Sequence, residues 1–396
     1  MTRHCQSVMI IAGEASGDLH GAHVVRALRS MVPEVTVMGI GGGAMRDAGV
    51  EILVPAEALS VVGITEVASK LPALFEARRR VRDALAIRRP RLLILIDFPD
   101  FNLHVAGMAK ALGIPVLYYI SPQLWAWRKG RVKTIGRRVD HMAVILPFEE
   151  PFYRRHGIPV TFVGHPLLDR PPAADVDSGI SGFTGTPDAP VVGLLPGSRV
   201  GEVLRILPEM MVAARRIHHR FPRARFIVSR APTVSAGVLS TAFAQAHPSL
   251  PVTVSTADVR HIFQRSTLVI AASGTVALEA AMARTPMVVV YRVSPVSYWL
   301  GRALVRVPFI SLVNLIAGRA VVPELIQDDA LGDRIAETVV ALMGDPAAMA
   351  DMTRQLAGIQ QKMGTPGASL RVARIAMEMM THGGGDPRRR AAPAGD

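Results

Sequence analysis

The sequence predicts an α/β protein made of two doubly wound, Rossmann-like units in series. Three observations carry this. Short runs of Val, Ile and Leu alternate with helical patterns along most of the chain. The runs are continuously apolar rather than alternating, as strands of a parallel sheet covered on both faces require. The series halts at a stretch rich in Pro, Gly, Asp and Ser, residues 170–190, and then restarts. A length of 396 residues suits two or three domains at roughly 150 residues each. The expected division is a first unit over 1–169, a linker or surface loop over 170–190, a second unit over 191–380 ending in helices, and a disordered tail over 381–396.

In the first unit the strand runs are SVMIIAG (7–13), VTVMGIG (35–41), RLLILID (91–97), VLYYIS (116–121), MAVILP (142–147) and VTFVG (160–164). In the second they are VVGLLPG (191–197), RFIVSRA (225–231), PVTVST (251–256), TLVIAAS (267–273) and PMVVVY (286–291). Helical patterns fill most gaps and continue from about 330 to 380. Nearly half the residues are hydrophobic but only 5% are aromatic, so the cores should be aliphatic. The single cysteine, Cys5, excludes an intrachain disulfide and fits a reducing compartment. The segment VMIIAG is short and runs into Glu14 and Asp18, unlike a signal peptide. No run is long enough to span a bilayer, so any membrane association is expected to be peripheral. A formal charge of +13 admits nucleic acid, anionic lipid or phosphorylated substrates. There is no zinc-finger spacing and no aromatic RNA-binding motif, so nucleic acid is not the expected partner.

In open α/β sheets, ligands gather beyond the carboxyl ends of the strands. Six polar clusters fall at such places. AGEASGDLHGA (12–22) offers a helix start in which Ser16, Gly17 and Asp18 contact substrate, or in which Ser16 or Asp18 simply caps the helix. IDFPDFN (96–102) ends an apolar strand on Asp97, a candidate base with Asp100 as competitor and Asn102 as a helix cap. YYISPQLWAWRKGRVKTIGRR (118–138) holds Ser121, Gln123, Trp125 and Trp127, where an indole face can stack on sugar or cover core. LLPGSRVGEV (194–203) sets Gly197, Ser198 and Arg199 between strand and helix as a phosphate seat, without the Gly-Lys-Ser/Thr of a P-loop. AASGTVALEAAMA (271–283) repeats that arrangement with Ser273, Gly274 and Thr275, and Glu279 lies one helical turn farther on, placed for ribose hydroxyls. ISLVNLIAGRAVVPEL (310–325) sets Asn314 and Arg319 in an apolar run, as caps or as ligand contacts. Two anion seats in one α/β unit point to a nucleoside diphosphate more firmly than either does alone.

These motifs taken in order resemble the lipid-A-disaccharide synthases, inverting glycosyltransferases. The matching stretches are AGEASGD, LSVVGITEV, IDFPDFN, YYISPQLWAWR, LPFE, FVGHPLLD, LLPGSR, ASGTVALE and VNLIAGR, from about residue 8 to 330. The resemblance implies a GT-B architecture, two Rossmann-like domains facing a cleft. It implies transfer of the sugar of UDP-2,3-diacylglucosamine to 2,3-diacylglucosamine 1-phosphate, giving a β-1′,6-linked disaccharide phosphate and UDP. It further implies no cofactor or obligatory metal, work at the inner face of the cytoplasmic membrane, and a homodimer with exchanged C-terminal segments. Carried onto this sequence, Asp97 takes the place of the general base, while Arg199 and Asn314 serve the donor side. The chain departs from the family at Gly43 and Ala44, where Pro-Arg is frequent, and at Val313, where Pro is usual.

A route to acylated substrates is suggested by VVGITEVASKLPALFEARRRVR (61–82). Val67, Leu71, Leu74 and Phe75 can share a helical face, with Arg78–Arg80 following, as on a helix lying on an anionic leaflet. The alternative is a helix facing the core. Rival functions are another UDP-sugar enzyme of the same fold, such as a 2-epimerase, or a sugar-nucleotide- or lipid-binding protein without turnover.

Overall fold

A computed structural model describes residues 6–59, 67–126, 129–170, 180, 182–186, 188–243, 250–305 and 307–382. The chain forms two compact units, Met1–Arg170 with Met363–Asp396, and Pro171–Lys362.

The first unit holds a sheet of β1 (Ser7–Ala12), β2 (Thr36–Gly41), β3 (Glu51–Pro55), β4 (Leu92–Ile96), β5 (Val116–Tyr119), β6 (His141–Val144) and β7 (Val160–Phe162). Their order is β3-β2-β1-β4-β5-β6-β7, and every pairing is parallel. β1 and β4 are buried almost throughout, which is why they read as unbroken apolar runs. Alternate side chains feed two cores. Met9, Ile11, Leu93 and Leu95 face one. Val8, Ile10, Ile94 and Ile96 face the other.

The second unit repeats the plan with β8 (Val191–Leu195), β9 (Arg225–Ser229), β10 (Val252–Ser255), β11 (Leu268–Ala272), β12 (Met287–Tyr291) and β13 (Glu324–Ile326). The order is β10-β9-β8-β11-β12-β13, again all parallel. In both sheets the order reverses beside the first strand, between β1 and β4 and between β8 and β11. Ligands bind at such switch points, beyond the carboxyl ends of the strands.

Two expectations need correction. The C-terminal helix Ala368–His382 belongs to the first unit, not to the second. Its Val372, Ala373, Ala376 and Met380 complete the core around Val8 and Ile10. Asp169 fixes its start by accepting the backbone N–H groups of Gly367 (2.6 Å), Ala368 and Ser369 (both 3.2 Å). The stretch 170–190 is also not wholly a surface linker. Ile180 is fully buried with Val191, Ile227 and Ile262, and Phe183 packs on that cluster and carries the Arg225 guanidinium 4.2 Å above its ring. Residues 171–179, 181 and 187 lie outside the described residues, as does 383–396 of the tail. Among the described residues no helix is long and apolar enough to cross a membrane.

Candidate active site

At the first switch point Ala12 of β1 pairs with Ile96 of β4, so Gly13 and Asp97 leave the sheet side by side. The close approach requires the glycine, since a Cβ there would stand 2.5 Å from the Phe98 ring. Asp97 and Phe98 are both left-handed, with φ of 45° and 47°. Such a conformation costs a non-glycine residue about 1–3 kcal/mol and persists where the surroundings over-determine it. Here they do. The Asp97 carbonyl accepts the Tyr118 hydroxyl at 2.6 Å and the Asn102 amide at 2.7 Å, and the same amide reaches the Ile96 carbonyl at 3.2 Å. The Asp97 N–H donates to the Tyr119 carbonyl at 3.2 Å. Sequence reasoning left Asn102 as a helix cap and missed Tyr118.

The result is a half-buried carboxylate at the sheet rim. Burial, then the like charge of Glu14, push Asp97 up to about 6, against a smaller opposing effect of the Phe98 N–H. Asp100 is in a different position. Its side chain is 73% exposed and its carboxylate lies 2.5 Å from Arg131. Of the two aspartates left open by the sequence, Asp97 has the environment of a base.

The other residues expected on this edge divide sharply. Ser16 and Gln123 are exposed. Gly17 is buried, letting its helix close on Ala12 and Ile96. Asp18 is withdrawn from substrate contact. It is buried and accepts the N–H groups of Gly42 (2.6 Å), Ala44 (2.9 Å) and Met45 (3.1 Å). It thus seats the short helix Gly43–Asp47, the loop that departs from the family pattern. Ser121 is buried and bonded to the Pro122 carbonyl at 2.9 Å and the Tyr153 hydroxyl at 2.6 Å. Trp125 is not a free stacking platform. Its ring meets Phe148 edge-on at 4.8 Å and its indole N–H donates to Glu149 at 3.2 Å. Glu149, the last residue of the LPFE stretch and given no role from the sequence, is 1% exposed and takes the Leu146 N–H at 3.0 Å, and burial pushes it up to about 7. Trp127 lies outside the described residues.

At the second switch point Leu195 of β8 pairs with Ala271 of β11, bringing the two predicted anion seats together. Gly197 adopts φ +103°, a turn that favours glycine. Ser198 is exposed, and its carbonyl is held by the Thr233 hydroxyl at 2.6 Å. Arg199 is the N-cap residue of the helix Val200–Arg220, and its side chain is 82% exposed, 3.2 Å from Glu202. Across the switch, Gly274 precedes the helix Thr275–Met282 and Thr275 is exposed at its start. The Ser273 N–H donates to the Val290 carbonyl at 2.9 Å, and its hydroxyl reaches the Ile310 carbonyl at 3.4 Å. Glu279 is half-buried within the field of Arg260. Tyr291, at the end of β12, is raised by burial and by the charge of Glu202 and lowered by that of Arg199.

Asn314 is removed from direct donor contact. It is 1% exposed, and all four of its hydrogen-bonding positions are taken within the chain. Its amide donates to the Val322 carbonyl (2.9 Å) and Glu324 (2.7 Å), and its oxygen accepts the N–H groups of Val321 (2.7 Å) and Val322 (3.0 Å). Arg319 is exposed beyond the helix Leu312–Ala317, within the field of Asp351. Among the described residues no group of three or more His, Cys, Asp or Glu side chains is placed to hold a metal ion.

The expected membrane face also splits. On the helix Val67–Arg88, Leu74 packs against the core with Ala77, Val81 and Leu85, at helical spacing. Phe75, the next residue, points away and is 63% exposed. One residue along a helix turns the side chain by about 100°, so the two cannot share a face. Arg79 and Arg80 both pair with Glu76, at 2.8 and 2.9 Å. The side chains of Val67 and Leu71 lie outside the described residues.

The family model described as lipid-A-disaccharide synthetase matches residues 8–364. A lipid-A-disaccharide synthase of Geobacter sulfurreducens is 48% identical over 375 residues, 94% of this chain and 97% of that one. One of Myxococcus xanthus is 42% identical over 377 residues, 95% and 98% of the two chains. Among solved structures, a UDP-GlcNAc 2-epimerase of Neisseria meningitidis bound to UDP-GlcNAc superposes with a TM-score of 0.65 at 12% identity, covering 94% of this chain and all of the other. The calicheamicin glycosyltransferase CalG4 gives 0.61 at 15%, covering 96% and 99%. These two likenesses bear on the fold, two Rossmann-like domains, and not on the reaction.

Proposed function

Because the chain belongs to the lipid-A-disaccharide synthetase family, a group of glycosyltransferases that form the lipid A disaccharide, we propose how its residues divide that reaction. The donor is UDP-2,3-diacylglucosamine and the acceptor is 2,3-diacylglucosamine 1-phosphate. Asp97 is the general base. It takes the proton of the acceptor's 6-hydroxyl as that oxygen attacks the anomeric carbon of the donor. A single in-line displacement inverts that carbon, through an oxocarbenium-like transition state of the kind glycosidases use.

The departing UDP gains negative charge. Ser198, Arg199 and the helix start at Ser273–Thr275 meet it with a guanidinium, hydroxyls and backbone N–H groups, the donors that suit a developing anion. Glu279 holds the ribose. Glu202 must release Arg199 as the diphosphate enters, since a carboxylate would oppose it. The observation that carries the assignment is the Asp97 carboxylate, half-buried on a doubly left-handed turn and poised at about 6. A base is most effective when its pKa lies near the working pH.

We place the acceptor at the first unit's carboxyl edge, about Ser16 and Gln123, and the enzyme on the inner face of the cytoplasmic membrane. Exposed Phe75 beside the arginines Arg79 and Arg80 supports a peripheral contact with anionic lipid. Co-sedimentation of a Phe75→Glu variant with anionic vesicles tests it, and unchanged binding would count against it. Exchange of C-terminal segments in a homodimer remains a proposal from the family, tested by mass in solution.

The deciding assay is UDP release from UDP-2,3-diacylglucosamine, with and without the acylated acceptor, in detergent with EDTA. Acceptor-dependent release with a disaccharide product is expected. Tight UDP-sugar binding without turnover would favour a binding protein, and turnover of a different acceptor would favour another transferase.

A further inference from the structure

Helix Val200–Arg220 begins at Arg199, on the proposed diphosphate seat. Its first turns leave two apolar side chains exposed, Val200 at 38% and Leu204 at 42%. With half-buried Pro208 they stand at i, i+4 and i+8, one strip along one face. The strip leads into a cavity of about 540 Å³, walled by Leu204, Pro208, Val293 and Pro295 with Arg292 and Gln327. That is within the range of small-ligand sites, roughly 300–1,000 Å³. Tyr291, the last residue of β12, directly precedes Arg292 and Val293 of the cavity wall.

Ser294 and the exposed Asp328 also line the cavity, Ser294 bonded to the Ser297 hydroxyl at 2.7 Å, and the other polar groups of the wall are held within the chain. Arg292 pairs with Glu209, whose other oxygen accepts the Gly332 N–H at 2.8 Å. Gln327 binds both backbone groups of Val293, accepting at 2.8 Å and donating at 3.2 Å. Arg205 donates to the Gly201 carbonyl at 3.0 Å. A polar ligand would have to displace these bonds. An apolar chain leaves them intact and covers Leu204, Pro208, Val293 and Pro295.

We propose that this strip and cavity form a subsite for an acyl chain of the donor, running from the sugar–diphosphate junction along Val200 and Leu204 to Val293. The proposal rests on the reading of Arg199 and Ser198 as the diphosphate seat. It makes the second unit a reader of acylation and not only of UDP.

The test is binding of three probes to the full chain by calorimetry in detergent: UDP, UDP-GlcNAc, and UDP-glucosamine diacylated with chains of graded length. Leu204 is exposed, so Leu204→Gln should leave the fold intact, and it adds no charge near the seat. In the wild type, affinity should rise with chain length, by up to about fourfold per methylene buried. Leu204→Gln should weaken the long-chain donor about tenfold and change UDP and UDP-GlcNAc less than twofold. A second variant, Leu204→Trp, should narrow the cavity and move the preferred chain to a shorter length. Equal losses for all three probes, or no loss for the acylated donor in either variant, would overturn the subsite. A wild type that binds no UDP would instead overturn the diphosphate seat, and the subsite with it.

Discussion

Replacing Asp97 by Asn should cut turnover sharply and stabilise the fold, and the second effect can be worked from the structure. Burial and Glu14 raise the Asp97 pKa from 3.8 to about 6. A raised carboxyl means that ionisation costs the folded state. Below pH 3.8 Asp97 is protonated in both states and there is no cost. Between 3.8 and about 6 the unfolded chain gives up its proton first, so stability falls as pH rises. Above about 6 the cost is complete, and a rise of that size corresponds to about 3 kcal/mol. The same linkage gives roughly half of that at pH 5. Asn carries no charge, tolerates the left-handed turn, and avoids the cost. At pH 8 the variant should therefore melt higher by about 6–12 °C, taking 2–4 °C per kcal/mol for a unit of this size. At pH 5 the gain should be roughly half. Turnover at pH 8 should fall at least about a hundredfold, the lower bound for a positioned base. Calorimetric melts at both pH values and the acceptor-dependent release of UDP measure the two effects on one preparation. A variant no more stable than wild type at pH 8 would refute the burial argument. Near-normal turnover would remove Asp97 from the role of base.

Three further outcomes follow from the same geometry. Glu14→Gln removes the like charge beside Asp97, so the acid limb of kcat/KM, expected near pH 6, should move to lower pH, as a pH–rate profile would show. Arg199→Ala should leave stability within about 0.5 kcal/mol because the side chain is 82% exposed, yet weaken UDP about 10- to 100-fold by calorimetry, the worth of a charge-assisted hydrogen bond. Asn314→Ala should behave oppositely, losing about 3 kcal/mol or more in denaturant melts, because three buried backbone groups and the part-buried Glu324 are left without it.

The central strands were legible because burial on both faces leaves an unambiguous apolar run, as in LLILI of β4 and VVGLL of β8. The two strands that escaped, β3 (EILVP) and β13 (ELI), are sheet edges, short and half-exposed, with an acid at the start of each. The destination of the C-terminal helix was not legible. Val372, Ala373, Ala376 and Met380 mark an apolar face, but a helical period does not say which core receives it. The site was legible wherever the strand register alone decides position. Asp97 follows Ile96 off β4, and Arg199 follows β8 by four residues. Tyr118 and Glu149 act through contacts distant in sequence, which spacing does not encode.

Residue type marks polar motif positions, but direction decides their use, and direction shows in hydrogen-bonding capacity. At the first switch point Asp97 lies on the loop after β4 and Asp18 in the first turn of the helix Ala15–Met31, and both residues are at least partly buried. Asp18 is given three backbone N–H groups, so its acceptor oxygens are already used by the fold. Asp97 is given the Phe98 N–H and a neighbour of like charge, so its charge is a burden. The same substitution should therefore have opposite signs at the two positions. Asp18→Asn exchanges one acceptor oxygen for an NH₂ that faces N–H donors, and should destabilise the first unit by about 1–3 kcal/mol. Asp97→Asn should stabilise it. If calorimetric melts at pH 8 gave both variants the same sign, satisfied and unsatisfied carboxylates would not be distinguishable by their partners, and the assignment of Asp97 as base would lose its physical ground. If the signs differ, Asp18 holds the Gly42–Met45 loop in place and Asp97 is the group left free to take a proton.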